Sequence, residues 1–256
     1  MEILVCIKRV PTVGGKIAVT PDGQEVDTRA SGFSISPHEE CAVEEAVQIT
    51  ERDGGSVSVL TLGPEAAIEQ LRGALALGAH RAVLLETDGR EFGPITTAAA
   101  IAAEVRTHRY DLVLLGNEAA DTGDYQVGVR LAHLLGRPVA TGIKAIFVAD
   151  DRSSLSASRT YRGVVETFTL PLPCVVTVKE GINLPRYPSL PGRLRAKRAS
   201  IARVPVSDPG PGSGNDVRMT RLRVPETPRK QATVLGHGAD AVPALVAVLA
   251  DIGVLA

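Results

Sequence analysis

Cysteine is scarce in this 256-residue sequence, charge of one sign is not in excess, and no apolar run is long. Cys6, Cys41 and Cys174 are odd in number, widely spaced and part of no CxxC or Cys/His pattern. Neither a disulfide framework nor a thiolate metal site is therefore expected, and structural thiols in a reducing, cytoplasmic setting are. The 28 Lys and Arg almost cancel the 29 Asp and Glu, which argues against the overall basic surface on which nucleic-acid affinity rests. The opening MEILVCIKRV is too short an apolar stretch to span a bilayer and has no secretory cleavage pattern, so neither membrane insertion nor export is expected. His38, His80, His108, His133 and His237 are scattered, with no Cys or carboxylate at ligand spacing, and no metal is expected. A GxxxxGK[ST] loop, a GxGxxG after the first strand, a GxSxG elbow and an HExxH pair are all missing. No nucleophile stands with its base either, so no catalytic residue is assigned. There is no internal repeat.

What is present is a rhythm. At 44% hydrophobic residues the chain can bury a substantial core. ILVCI (3–7), SVSVLTLG (56–63), RAVLLE (81–86) and DLVLLG (111–116) read as buried strands. Between and after them, helical spacing runs over 38–52, from Pro64 through Leu75, over 94–107 and over 126–136, with Pro before a start and Gly after an end. Strands alternating with helices at these lengths predict an α/β fold with a mostly parallel, doubly wound sheet covered on both faces. Segments 143–149, 155–161, 164–170 and 174–178 read as later strands on the same sheet, two of them joined by an RTYRG hairpin. In the 38–52 helix the acid pairs Glu39-Glu40 and Glu44-Glu45 read as its wet face rather than as a general acid and base. From Pro185 the composition turns to Pro, Gly and Arg, and SDPGPGSGND (207–216) reads as a linker. The domains expected are therefore an α/β body over 1–184 and, over 185–256, an extended arm with a terminal helix. In that helix Val242, Leu245, Val246 and Leu249 form an apolar stripe suited to docking on the body or on another subunit. Arg186, Arg193, Arg195, Lys197, Arg198 and Arg203 make one stretch of the arm basic without an acid.

Ligands of open α/β sheets bind at the carboxyl ends of the strands. TLGPE (61–65) brings a glycine straight to a helix start, where unpaired N–H groups and the helix dipole attract phosphate. It serves equally as a plain strand-to-helix turn. GNEAADTGDYQVG (116–128) crowds Asn117, Glu118, Asp121, Thr122, Asp124 and Gln126 between a buried strand and a helix, with Gly123 and Gly128 for bending and close approach. Such a loop can hold a ribose and a phosphate, or simply be a solvated loop with an N-cap.

EGINLPRYPSLPGRLRAKR (180–198) resembles the signature of the β subunit of electron transfer flavoprotein, an N-x-P-R-Y-x-x-L-P run followed by basic residues. Asn183, Pro185, Arg186, Tyr187, Leu190 and Pro191 fall in place. Upstream, Arg159, Gly163, Glu166, Leu170 and Pro173 follow that family's spacing. VCIKRV, SPHEECAVEEAVQI, TLGPEAAIEQLRGALALGAHRAVLL and the QVG near residue 127 are similar too, so the resemblance covers nearly the whole chain.

The resemblance implies an adenine nucleotide alpha hydrolase-like fold and a heterodimer whose α subunit holds most of the FAD, with AMP bound in this chain. The heterodimer would carry electrons, as in fatty acid oxidation, from acyl-CoA or other flavin dehydrogenases to a quinone reductase or similar acceptor. Carried over by position, the nucleotide site comprises Cys6, Ser36, Leu62, Gly63, Asn117 and the run Asp121, Thr122, Gly123, Asp124, Tyr125, Gln126, Val127 and Gly128. That run departs from the D-G-D-T-x-Q-V-G of many relatives, Ser36 replaces a frequent asparagine, and Val13 stands where an aromatic neighbour of the flavin sometimes occurs. Partner recognition falls to Arg186, Tyr187, Pro188, Leu190, Pro191 and Arg195, with Leu190 as an anchor stiffened by its flanking prolines and the arginines steering an acidic partner. Two alternatives remain open: an electron-bifurcating member with a second FAD in the AMP position, and a stand-alone adenine-nucleotide module of the universal-stress type.

Overall fold

The structure is a computed structural model and describes residues 1–12, 17–29, 31–89, 92–206, 220–225 and 232–255. The linker expected over 207–216 and the position of Val13 lie outside the described residues. Residues 1–222 cluster as one compact unit and 223–256 as a second.

The first unit is built on seven strands. Buried apolar runs make β1 (Glu2–Ile7), β4 (Ser56–Gly63), β5 (Arg81–Glu86) and β6 (Leu112–Gly116). They pair with β7 (Val139–Ile143), β11 (Cys174–Val178) and β12 (Ala202–Pro205) in the order β12-β5-β4-β1-β6-β11-β7, every pair parallel. The fold is thus α/β with a parallel, doubly wound sheet. A parallel sheet has no wet face, which is why its inner strands read as unbroken apolar runs instead of alternating.

Helices cover both faces. α1 (Pro37–Asp53), α2 (Ile68–Leu77) and α5 (Leu190–Arg198) bury Val43, Val47, Leu71, Leu75 and Ala196 against one side of the sheet. α3 (Pro94–Thr107) and α4 (Val127–Leu135) bury Ile101, Val105 and Leu131 against the other. A short antiparallel ribbon, β2 (Arg9–Pro11) with β3 (Phe33–Ile35), leads from β1 into α1, and the Arg9 guanidinium stacks 3.2 Å over the Phe33 ring.

Three expectations are corrected. The segments expected as later strands of the main sheet form a separate antiparallel sheet, β8 (Ala145–Val148), β9 (Ser154–Tyr161) and β10 (Val164–Pro171), and only 174–178 joins the parallel sheet. Hairpin-connected strands pair locally, and Arg159 stands opposite Glu166 and bonds it at 2.7 Å. The arm expected to be extended from Pro185 folds back instead, as α5 packed on α2 and as β12 paired with β5. The acids expected on the wet face of α1 are largely inside: Glu39, Glu44 and Glu45 are buried, each with a polar partner, as buried carboxylates require.

In the second unit, α6 (Val242–Asp251) follows a 3-10 turn over Gly238–Ala241. None of its residues is buried, and Val242, Leu245 and Val246 are exposed.

Candidate functional site

From β1 the chain winds outward through β4 to β5, then returns to β6 on the other side of β1, so the winding reverses between β1 and β6. Above such a reversal the loops part in opposite directions and leave a crevice. A cavity of about 270 Å3 opens there. Leu60, Leu62, Phe92, Ile101 and Leu115 give it apolar walls, and its polar rim comes from the turn after β1 and the loop leaving β6.

The start of α4 is its strongest feature. The N-cap residue Gln126 makes no side-chain capping bond; its Oε1 accepts instead from Arg130 Nε and Nη2 at 3.0 and 2.7 Å. Val127 and Gly128 line the cavity, so the first-turn N–H groups and the positive end of the dipole are offered to whatever occupies it, a disposition suited to phosphate.

The loop before α4 is held from several sides. The Asn117 amide donates to Val178 O at 2.9 Å, and Asn117 Oδ1 accepts the Thr177 hydroxyl at 2.8 Å. Ser36 Oγ accepts the Ala120 amide at 3.2 Å. Lys8 Nζ pairs with Asp121 at 2.7 Å. Gly123 and Tyr125 both take left-handed conformations, at φ 62° and 57°. Glycine does this freely, whereas the tyrosine is retained with its hydroxyl bonded to Glu118, which also pushes the phenol up.

Glu39, in the first turn of α1, forms part of the floor. It accepts the Lys8 amide, and its Cγ lies so near Gly116 that a Cβ there would stand 2.7 Å away. Burial pushes its carboxyl up to about 8 against the opposing pull of the Lys8 amide and charge. At neutral pH it therefore presents a hydrogen-bonding acid rather than a wall of negative charge. Burial, with Glu39 beside it, also raises the Cys6 thiol, so Cys6 is a neutral packing group and no nucleophile.

Of the residues expected to hold a nucleotide, Cys6, Leu62, Gly63, Asn117 and Thr122 line this cavity, and so do Asp124, Tyr125, Gln126, Val127 and Gly128. Ser36, Asp121 and Gly123 stand behind it as the loop's braces. Gly128 has a packing reason for being glycine as well: a Cβ there would meet Thr177 Cγ2 at 2.4 Å, so it lets α4 close on β11. At Gly63 a Cβ would meet only Ala67 Cβ at 3.6 Å, leaving the cavity side open to close approach. Sequence reading missed Lys8, Arg9, Glu39, Phe92 and Thr97 as lining residues. For Glu39 a signal existed, because it lies three, four and seven residues before Ala42, Val43 and Ala46, in line with the buried stripe of α1.

The residues expected to meet a partner divide in two. Tyr187 is 95% exposed and Leu190 71%, and Pro191 is exposed beside them; Pro188 is half-buried. Arg186 turns inward to Glu44 and Glu51, whereas Arg195 stands exposed and reaches back to the Leu75 carbonyl at 3.3 Å.

Among the described residues no helix is long and apolar enough to cross a membrane, and no three His, Cys, Asp or Glu are grouped to hold a metal. Residues 25–209 match the family model of the electron transfer flavoprotein domain. The chain is 34% identical over 241 residues to the mitochondrial electron transfer flavoprotein subunit beta of Arabidopsis thaliana, covering 94% of this chain and 95% of that one. To the subunit beta of Bacillus subtilis it is 35% identical over 210 residues, 81% and 80% of the two chains. To that of Homo sapiens it is 33% identical over 257 residues, 99% and 98%. The chain belongs to the electron transfer flavoprotein family, among its beta subunits.

Proposed function

We propose that this chain pairs with an FAD-holding alpha subunit, binds AMP in the cavity between β1 and β6, and carries electrons from acyl-CoA or other flavin dehydrogenases to a quinone reductase or similar acceptor. The observation that carries the reading is the uncapped start of α4 at the rim of that cavity. Its orphan N–H groups suit a phosphate, the apolar walls at Leu62 and Phe92 suit a base, and Glu39 supplies a neutral hydrogen-bonding acid between strand ends. The flavin, when bound, supplies the electron-accepting and electron-donating chemistry. This chain's own residues hold the nucleotide and present Tyr187 and Leu190 outward, where an aromatic and an aliphatic anchor fit a pocketed partner. Three buried free thiols agree with a reducing compartment.

The test is the content of the co-purified heterodimer. After denaturation, mass spectrometry and flavin absorbance are expected to give one FAD and one AMP per heterodimer. Two FAD without AMP would overturn the carrier reading in favour of a bifurcating one. A stable monomer free of any adenine nucleotide and indifferent to a flavin-bearing partner would overturn both.

A further inference from the structure

The basic stretch that opens at Arg186 reads as a surface for an acidic partner, yet its first arginine is fully engaged within the chain. Arg186 Nε donates to Glu44 Oε2 at 2.9 Å and Nη2 to Glu44 Oε1 at 3.0 Å. The same guanidinium gives Nη1 and Nη2 to the Glu51 carboxylate at 2.7 and 2.8 Å. Even the Arg186 amide donates to Glu44, at 3.2 Å. Both acids project from α1, two turns apart, so one planar fork spans two carboxylates in the geometry that only arginine offers. The Glu44 side chain is 3% exposed and that of Glu51 57%. The pair is thus a buried bond with a wet outer half. Three residues earlier, Asn183 Nδ2 donates to Cys41 O at 3.0 Å and to Glu45 at 2.9 Å, again on α1.

The far side of the loop is fixed as firmly. Ser189 caps α5 by accepting the Gly192 amide at 3.1 Å. Gly192 lies so close to α2 that a Cβ would stand 2.4 Å from Ala76 O. The last carbonyls of α5 are closed by Arg72 from α2, which donates to Lys197 O at 3.1 Å and to Ala196 O. Between the anchors at Arg186 and Gly192 only residues 187–191 bridge, and these carry the exposed Tyr187 and Leu190.

We infer that Arg186 is not a partner contact but a positioning residue, and that Glu44 and Glu51 hold through it the short bridge on which Leu190 is presented to a flavin dehydrogenase. The inference rests on the docking role proposed for Leu190. The clamp works by preorganisation: a bridge already held at both ends loses little conformational freedom when its anchor is inserted. Burial pushes the Glu44 carboxyl up but its bonds with Arg186 and Gln48 bring it below the ordinary value, while the Arg186 bonds lower Glu51 and raise the guanidinium, in agreement with a pair kept ionised. Arg193, Arg195, Lys197 and Arg198 all stand on exposed positions of α5, Arg195 with one bond back to the Leu75 carbonyl.

Glu51→Gln is the clean probe, because it loosens the outer half of the clamp and leaves Glu44 paired; replacing Arg186 itself would strand Glu44. In the heterodimer, titrated with a purified acyl-CoA dehydrogenase, Glu51→Gln is expected to raise KM roughly threefold, the scale of a partly exposed ion pair. The limiting rate, flavin spectrum and bound nucleotide are expected to stay unchanged, and Tm to fall by no more than about 3 °C. Hydrogen exchange at the amides of 184–192 is expected to quicken. In a Leu190→Ala background the same substitution is expected to add no further rise in KM, since the clamp acts through that side chain. Wild-type KM together with wild-type exchange at 184–192 in Glu51→Gln would overturn the clamp. An additive effect on top of Leu190→Ala would overturn positioning and make Glu51 a contact in its own right. Unchanged KM in Leu190→Ala alone would overturn the docking reading instead, with the exchange measurement still deciding whether the clamp holds the bridge.

Discussion

The cavity over β1 and β6 and the bridge over 187–191 differ in what fixes them. At the cavity, strand ends, the start of α4 and the left-handed turn at Gly123 share the work with side-chain braces from Ser36, Lys8 and Thr177. The bridge is held by side chains, with Arg186, Asn183 and Arg72 each reaching another element. A backbone site tolerates changes in side chain, which accounts for a loop whose acid and hydroxyl positions depart from the family's usual run while its residues still line the cavity. The side-chain clamp is less tolerant at Arg186 and Asn183, because their loss leaves the buried carboxyls of Glu44 and Glu45 without a partner.

The sharpest way to break this contrast is Arg186→Ala. It leaves Glu44, 2% exposed, without its cation, and is expected to cost about 3 kcal/mol by denaturant unfolding. Adding Glu44→Gln is expected to recover part of that loss; equal stability of single and wild type would show the clamp to be ornamental.

Next is Glu39, the carboxyl lining the cavity whose titration is shifted into the accessible pH range. Its carboxyl is raised from 4.5 to about 8, so the native state binds the proton more tightly than the unfolded chain. That stabilisation is complete below 4.5 and is lost as pH rises toward and through about 8. A falling Tm over this window in the wild type, flattened in Glu39→Gln, is the expected result of a pH series of melts; identical slopes would contradict it.

The two glycines sharpen the comparison further. Gly128→Ala overpacks α4 against Thr177 and is expected to cost about 1 to 3 kcal/mol. Gly63→Ala meets nothing closer than 3.6 Å in the chain itself. It is expected to leave Tm unchanged while lowering AMP retained per heterodimer, as measured by mass spectrometry. Full retention would move the close approach elsewhere.

Smallest in stability is Leu190→Ala, at 71% exposure, expected to shift unfolding by less than about 0.5 kcal/mol even as the dehydrogenase KM rises. A large loss of stability would mean that Leu190 supports α5 rather than faces a partner.

The parallel sheet was legible because its inner strands are apolar runs with Gly and Pro at their ends, and α1 to α4 because helical spacing and those same breakers bound them. The burial of Glu44 and Glu45 was not, since what permits it is Arg186 and Asn183, more than 130 residues downstream. Nor was α5: LPGRLRAKR has little apolar periodicity, and its helix rests on the Ser189 cap, the Arg72 closure and the contact of Gly192 with Ala76. Periodicity also assigns a strand without naming its neighbour, which is why β8 to β10 looked like members of the main sheet. At the cavity, the loops were found from topology and glycine placement, while the lining residues between them came only with the fold.

The strand that follows α5 gives the arrangement an evolutionary constraint. The chain departs from β11 on one side of β1 and re-enters as β12 on the opposite rim, where Arg203 ties it to Glu65 and Glu86. The segment from β11 to β12 is thus a strap buckled on either side of the exposed 187–191 bridge. Exchanging specificity between relatives by grafting 184–192 alone would transplant the tip without its buckles, so a working chimera must bring along the matching stretch of α1 and the edge strand as well.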